Sequence, residues 1–374
     1  MRSSAALFYA LSIVIGGVLF FTWAWPLRER AVSGKNDFLQ LYAGARLVGT
    51  PDLYSIEASR RIHREITGTY YPSVYYTRLP FYAWLLSPLG GLPYRGAYLV
   101  FQAISLAAVA GFLGLYLPRF RELALLAAVS VPLLTNYVNG QDAGLVMAAA
   151  GVAAWMARRG RDFTAGLLLS LCLVKFHLFV PVPLVVLIHR RWRMLVGGAA
   201  GTGVLMLVSF AVAGMDWPLR FLAMIGNPEL HPGPEHMPTL RGLVFALTGE
   251  NRALEIALGV PVVALVAWLA SRIRSFDTAL GLSLAGGLLV GHHAYMQDCL
   301  MVLLAMVLFT LEPASRLLRG VAAVAVLPPA YFMLLHGVPW NLAVPLLLLS
   351  ILLAAAIGDA HGFENRAAAG RRAS

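Results

Sequence analysis

The sequence predicts an all-α protein that crosses a lipid bilayer many times. Of its 374 residues, 59% are hydrophobic and only 13% are charged, whereas a soluble chain is about half apolar and about a quarter charged. The long apolar runs are rich in Leu, Ala, Val and Gly, and they lack the apolar/polar alternation of membrane β-barrel strands. We therefore expect nearly all of the chain to lie within the membrane as helices.

Apolar runs of membrane-spanning length place the helices along the chain. The first run, Ala5–Trp25, could be a signal peptide, but it lacks a small-residue cleavage site and ends in the aromatic anchors Trp23 and Trp25. Including it, we predict about twelve transmembrane helices, at residues 5–25, 96–117, 123–138, 143–157, 163–174, 176–188, 194–213, 254–270, 279–292, 299–311, 319–335 and 340–357. Residues 1–357 then form a single transmembrane domain, and residues 358–374 form a disordered cytoplasmic tail.

The basic residues orient this bundle and indicate its surroundings. The formal net charge is +11, which in a soluble protein would suggest nucleic acid as a partner. Here the arginines cluster in short stretches between apolar runs, on the side that the positive-inside rule assigns to the cytoplasm. We therefore expect a lipid bilayer and no nucleic acid as partner, with both termini on the cytoplasmic side of the membrane.

Two long loops then lie on the outer face, at residues 26–78 and 214–252. In the first, Asp37–Val48 and Leu53–Thr67 are expected to be amphipathic helices that lie along the surface. The same loop holds Tyr75 and Tyr76. These rings suit either the lipid head-group layer or a surface that stacks against sugars.

Two regions are too short or too broken to cross the membrane as ordinary helices. Leu79–Leu92 contains two prolines and a Gly pair, and we expect it to be a re-entrant or interfacial segment. The helices at 163–174 and 176–188 are also short, and they meet at a Lys-Phe-His apex that begins at Lys175 and ends at His177. A charged apex between two half-depth helices predicts a water-filled cavity that opens to the outside.

Asp37 and Lys175 are the main candidates for chemistry, and each has a structural alternative. Asp37 precedes the first amphipathic helix, so it could be the N-cap of that helix or a general base at the outer face of the membrane. Lys175 could extend to the interface, as most lysines near helix ends do, but a charge at a half-depth junction favours a function. With His177 beside it, its expected partner is a phosphate.

Further polar side chains follow in the later outer segments. The motif "GHHAYMQD" contains His292, His293 and Asp298, which could bind a phosphate or sugar hydroxyls or could form a structural His–Asp pair. This spacing does not supply the three convergent ligands of a metal site, so no metal or other cofactor is expected. Gln141 in "NGQDAG" could bind sugar hydroxyls or belong to a turn, and Arg241 in "MPTLRGL" could contact a lipid phosphate or have no special role.

Taken in order, these segments resemble one family. The series "DFLQLYAGARLVGTPDLYS", "LPFYAWLLSPLGGLPYRGAYLVFQ", "NGQDAGLVMAA", "GLLLSLCLVKFHLFVPVPLVVLIHRRWR", "MPTLRGL" and "HHAYMQDCLMVLL" is similar to glycosyltransferase family 87, within the C-type glycosyltransferase superfamily. The resemblance runs from about Asn36 to Leu304. It is to the bacterial group that includes the mycobacterial polyprenyl-phosphomannose-dependent α-1,2-mannosyltransferases.

The resemblance implies a C-type glycosyltransferase-like bundle in a bacterial cytoplasmic membrane, which takes a polyprenyl-phosphate sugar as donor at the outer face. It also implies an acidic base in the first outer loop, and Asp37 is the position that matches that acid. The implied reaction is transfer of a hexose, namely mannose, to a glycolipid or polysaccharide acceptor with inversion. The leaving lipid phosphate needs fixed cations nearby. The side chains expected to supply them are Lys175, His177 or His293, and Arg78 or Arg241.

A secondary transporter or lipid flippase is the main alternative, because such proteins also use broken helices and charges within the membrane. The sequence has no convincing internal repeat of the kind that these proteins often carry. Its first outer loop also places an acid near the membrane. Both features favour the enzyme.

Overall fold

A computed structural model describes residues 2–72, 74–227, 230, 233–312 and 314–373, with side chains described from residue 7 to residue 358 within those ranges. These residues form helices joined by short connections, and among them there is no β-strand. The all-α prediction is therefore confirmed. In chain order the α-helices are α1 (Arg2–Leu19), α2 (Arg28–Val32), α3 (Phe38–Leu47), α4 (Ile56–Thr67), α5 (Pro80–Gly90), α6 (Tyr94–Tyr116), α7 (Leu123–Ala128), α8 (Val131–Asn139), α9 (Ala143–Arg158), α10 (Asp162–Ser170), α11 (Val182–Ile188), α12 (Trp192–Ala213), α13 (Trp217–Ile225), α14 (Leu240–Thr248), α15 (Arg252–Arg272), α16 (Phe276–Val290), α17 (Leu300–Leu311), α18 (Arg316–Ala325), α19 (Pro328–Leu335) and α20 (Ala343–Ala373).

Within the described part of the chain, five helical segments are long and apolar enough to cross a membrane. They are Leu7–Val32, Tyr94–Tyr116, Trp192–Ala213, Arg252–Arg272 and Trp340–Gly358. A sixth is added if α18 and α19, which meet at a bend of 45°, are counted as one span. The protein is thus an all-helical membrane protein, while the predicted count of about twelve transmembrane helices is not confirmed.

Several predicted spans are shorter because local signals end their helices. The run predicted as one helix at 123–138 forms α7 and α8, because the Ser130 side chain accepts a hydrogen bond from the backbone N–H of Leu133 at 3.3 Å and starts a new helix. The run at 319–335 is divided where Pro328 begins α19. At the other end of the chain, the backbone of 358–373 continues α20, and the disorder predicted for this tail stays a prediction.

The two helices of the first outer loop differ from each other. Helix α4 is amphipathic as predicted, since it buries Ala58 and Ile62 and exposes charged residues on the other side. Helix α3 does not lie along a surface, because eight of its ten residues, Phe38 to Ala45, are buried. Most of its buried side chains are apolar, and they pack against the neighbouring helices α4, α5 and α6, which corrects the prediction of an amphipathic surface helix.

Helix α5 occupies most of the predicted re-entrant segment. Its eleven residues make a rod of roughly 16 Å, about half of the hydrocarbon thickness. The backbone N–H of Phe81, at its first turn, donates to Ser209 Oγ of α12 at 3.1 Å. The helix is therefore too short to span and is anchored inside the protein, while its re-entrant course stays a prediction.

The chain is broken at Lys175, as the sequence predicted. Between α10 and α11, residues Leu171–Leu178 form a 3₁₀ segment in which Lys175 departs from helical geometry, with φ −130° and ψ 50°. This break frees the Lys175 side chain from the helix surface. It directs the side chain to where the loops before α5 and α9 meet the start of α17.

Candidate functional site

A cavity of about 410 Å³ lies where these loops and helix ends meet. This volume is within the range of roughly 300–1,000 Å³ that is usual for ligand pockets. Seven of the residues singled out from the sequence line it: Asp37, Arg78, Gln141, Lys175, His177, His293 and Asp298. Segments that are distant in sequence thus converge on one polar recess.

Asp37 stands at the start of α3 but does not cap it. Its carboxylate makes no cap hydrogen bond; instead Oδ2 accepts a hydrogen bond from Gln141 Nε2 at 2.8 Å. The preceding residue, Asn36, supplies the local contact, with Oδ1 accepting from the backbone N–H of Phe38 at 3.2 Å. The N-cap alternative is therefore not what the structure has, and the Asp37 carboxylate lines the cavity.

Packing around α3 fixes the position of this carboxylate. The ring of Phe38 is fully buried and lies 4.9 Å from the ring of Phe101 and 5.6 Å from that of Tyr94, between ring centroids. Gly140 ends α8 with φ +63°, and a Cβ at this position would lie 2.6 Å from Phe38 Cβ. Only glycine suits this close approach and positive φ. The turn at Gly140 places the Gln141 side chain next to Asp37.

The surroundings of Asp37 alter its acidity. Burial raises the pKa of this carboxyl above its ordinary value of 3.8, while the hydrogen bond from Gln141 and the charges of Lys175 and Arg78 oppose that rise. A carboxylate with a raised pKa is a stronger proton acceptor than an ordinary one. This change suits a general base.

A buried ion-pair network forms one wall of the cavity. Arg78 binds Asp142 with two hydrogen bonds, from Nε to Oδ2 at 2.9 Å and from Nη2 to Oδ1 at 3.3 Å. Lys175 Nζ lies 3.2 Å from Asp142 Oδ1 and 2.8 Å from Asp298 Oδ1. The contact with Asp298 is an ion pair without the alignment of a hydrogen bond. All four side chains are at most 7% exposed, so solvent screens these charges little.

Gln141 connects this network to Asp37. Its Nε2 donates to Asp37, and its Oε1 faces Lys175 Nζ at 3.4 Å and Arg78 Nη2 at 3.5 Å. The orientation of the amide is therefore set by the two cations on one side and by the carboxylate on the other. Through Gln141, the position of Asp37 is coupled to the ion pairs.

Among the described residues, three histidines line the cavity, namely His177, His236 and His293. His177 and His293, which the sequence singled out, are not fixed cations, because burial lowers the pKa of each. Burial lowers the pKa of His293 to about 4, and the nearby charge of Arg78 acts in the same direction. At neutral pH His293 is therefore uncharged and can only donate or accept hydrogen bonds, which differs from the cationic role expected from the sequence. His177 Nε2 is buried without a hydrogen-bond partner among the described residues, so it is available to a ligand in the cavity.

Tyr75 and Tyr76 do not reach the cavity. Both rings are fully buried. Tyr75 stacks on His63, with centroids 5.8 Å apart, and the Tyr76 hydroxyl donates to the carbonyl oxygen of Leu79 at 2.8 Å. The structure therefore gives both tyrosines a place in the core rather than on a sugar-binding surface.

Arg241 and His292 form a separate cluster. His292 Nδ1 lies 2.8 Å from Glu255 Oε1, and His292 Nε2 lies 3.3 Å from Arg241 Nη1. Arg241 also pairs with Glu250 at 3.7 Å. Carboxylates thus already compensate the charge of Arg241, and neither residue lines the cavity that holds Asp37.

Several cavity residues escaped the sequence analysis. Asp142, which does not itself line the cavity but pairs with Arg78 and Lys175 there, was also missed, although its place directly after Gln141 was a usable signal. Polar side chains that line the cavity and were not predicted include Gln40, Thr77, Thr135, Tyr295 and Gln297. Across the described residues, no three His, Cys, Asp or Glu side chains come together as metal ligands would. The expectation that no metal takes part stays a prediction.

Comparison with known proteins gives one positive result. A family model described as glycosyltransferase family 87 matches residues 76–296, which is more than half of the chain. The matched region includes Arg78, Gln141 and Lys175, while Asp37 and Asp298 lie outside it. No curated protein and no solved structure matches.

Proposed function

Since the chain belongs to glycosyltransferase family 87, we propose that this membrane glycosyltransferase moves a hexose from a polyprenyl-phosphate donor to a glycolipid or polysaccharide acceptor. Mannose is the first candidate for the sugar, because the resemblance is to mannosyltransferases. The proposed place of reaction is the outer face of a bacterial cytoplasmic membrane. The observation that carries the proposal is the Asp37 carboxylate, which faces a polar cavity and is tied through Gln141 to buried cations.

In the proposed reaction, Asp37 is the general base. The acceptor hydroxyl gives its proton to the free oxygen of the carboxylate while the hydroxyl oxygen forms a bond to the anomeric carbon. The bond from that carbon to the phosphate oxygen breaks on the opposite face, so the configuration is inverted. Gln141 holds Asp37 Oδ2, which leaves Oδ1 to face the acceptor.

Arg78 and Lys175 are the proposed electrostatic partners of the leaving phosphate. Lys175 Nζ has three oxygen neighbours, on Asp142, Asp298 and Gln141. A phosphate oxygen would take the place of the longest of these contacts, that to Gln141 at 3.4 Å. Arg78 Nη1, whose contact in the structure is with Thr77 Oγ1 at 3.2 Å, offers a further N–H. Negative charge that grows on the leaving oxygen is stabilised by such fixed cations in a site of low dielectric constant.

Sugar transfer by the purified protein tests the proposal against the transporter or flippase alternative. The full chain in phospholipid vesicles is given synthetic polyprenyl-phosphomannose, labelled in the sugar, and octyl α-mannoside as acceptor. We expect labelled disaccharide to form, with its anomeric configuration inverted relative to the donor. Counterflow or flipping of the intact donor without release of polyprenyl phosphate would contradict the proposal.

A further inference from the structure

Asp37 lines two cavities. Besides the one already described, it lines a second cavity of about 200 Å³. Asp37, Val74 and Asn139 line both cavities and therefore form the wall between them. The second cavity is smaller than a usual ligand pocket of roughly 300–1,000 Å³, so it suits one part of a larger ligand.

The second cavity has a cationic rim. Arg30 and Lys35 line it, and both are exposed. Arg30 Nε donates to the carbonyl oxygen of Lys35 at 3.2 Å, which holds the two residues together. In the described part of the chain neither has a carboxylate partner, whereas nearby Arg28 pairs with Glu29 at 3.7 Å. Their charge is therefore available to an anion.

The location of this cavity joins it to the membrane surface. Leu27 and Ala31 line it, and both belong to the end of the apolar span Leu7–Val32. Chain that leaves a span at this point lies at the level of the lipid head groups. A molecule anchored in the membrane could therefore place its polar part here.

We propose that this second cavity is the acceptor subsite and that it selects an acceptor with an anionic group, a phosphate or a carboxylate. The inference rests on the proposed function. In an inverting transfer the acceptor approaches on the face opposite the leaving phosphate. The proposed phosphate partners, Arg78 and Lys175, line only the first cavity, so the acceptor enters from the other side of Asp37. Arg30 and Lys35 then bind its anionic group while its hydroxyl meets Asp37.

Binding measurements with three small probes test the subsite without any sugar transfer. The probes are octyl α-mannoside, its 6-phosphate and octyl glucuronide, titrated into the full chain in phosphatidylcholine nanodiscs. Charge-assisted hydrogen bonds to two exposed cations should make at least one anionic probe bind ~10-fold more tightly than the neutral one at low salt. The phosphate and glucuronide arms show which anion is preferred.

The double variant Arg30→Gln/Lys35→Gln should abolish this preference, and the control Arg28→Gln, which alters a cation outside both cavities, should keep it. Equal affinity for neutral and anionic probes in the unaltered protein would overturn the proposal, as would a preference that survives the double variant. Inorganic phosphate that binds as tightly as the phosphorylated mannoside would also overturn it, because the cavity would then be a simple ion site.

Transfer kinetics provide the second readout. The double variant should raise the KM for an anionic acceptor ~10-fold and leave the KM for the donor unchanged. A rise in the donor KM instead would assign the cavity to the donor. A protein that transfers no sugar but shows the anion preference would refute the proposed function and leave only an anion-binding site, so the two failures are distinguishable.

Discussion

Removal of the Lys175 side chain should lower the stability of the protein strongly. Its side chain is 4% exposed and it pairs with Asp298, itself 2% exposed, at 2.8 Å. In Lys175→Met, Asp142 keeps its two hydrogen bonds to Arg78. Asp298 keeps the hydrogen bond that its Oδ2 accepts from the backbone N–H of Tyr295 at 2.9 Å, but it loses the cation beside its Oδ1. A buried charge left without its partner typically costs ~3–5 kcal/mol, so we expect a loss of this size.

The double variant Lys175→Met/Asp298→Asn is the matched control. It removes both charges of the pair, and replacing a buried ion pair by neutral groups of similar volume is often nearly neutral for stability. Free energies of unfolding in mixed micelles should show the single variant ~3–5 kcal/mol below the unaltered protein, with most of that loss recovered in the double variant. A double variant as unstable as the single one would refute the ion-pair argument. Both variants should bind the donor weakly, and normal donor affinity in the stable double variant would mean that Lys175 is structural.

Three further outcomes follow from the site and the fold. Because a general base must be deprotonated, transfer should decline at low pH around the raised pKa of Asp37. Gln141→Leu removes the hydrogen bond that lowers this pKa, so it should move the decline to higher pH. An acid limb of the pH profile that does not move would contradict the assignment of Asp37 as the base. Tyr75→Phe should cost about 0.5–1.5 kcal/mol of stability, because Arg60 Nε loses its hydrogen bond to the Tyr75 hydroxyl. Transfer by the folded protein should be unchanged. Weaker sugar binding at unchanged stability would instead support the hypothesis that Tyr75 stacks against a sugar. With residues 26–78 outside and both termini inside, an impermeant thiol reagent should label Thr69→Cys in intact cells and Ser271→Cys only in permeabilised cells. The two native cysteines are buried, so they should add little background labelling. Labelling of Ser271→Cys in intact cells would contradict the predicted topology.

Much of the site could be predicted because its residues break the pattern around them. Lys175 is a charge within an apolar run, and such a position needs a buried partner or a ligand. Gln141 and Asp298 stand at helix junctions, where the chain turns and side chains can converge. Candidate residues on five separate segments could therefore be predicted from the sequence, but the distances between them could not.

The errors have a common physical origin, because burial depends on contacts that are distant in the sequence. Tyr75 and Tyr76 lie in a tyrosine-rich loop segment that suggested an exposed aromatic surface. Both are buried instead, Tyr75 against the His63 ring and Tyr76 with its hydroxyl bonded to the carbonyl oxygen of Leu79. Helix α3 was predicted to be an amphipathic surface helix, but neighbouring helices bury eight of its ten residues. The N-cap alternative for Asp37 failed because Gln141, 104 residues away, takes its carboxylate.

Transfer by Asp37→Asn tests the central claim most directly. The amide keeps the shape of the side chain and can still accept the hydrogen bond from Gln141, but it cannot take a proton. Positioned proton transfer typically contributes ~10²–10⁴-fold, so turnover should fall by that order while donor binding and unfolding free energy are retained. Near-normal turnover in Asp37→Asn would contradict the account, and Asp298 would then be the other carboxylate on the cavity wall to examine.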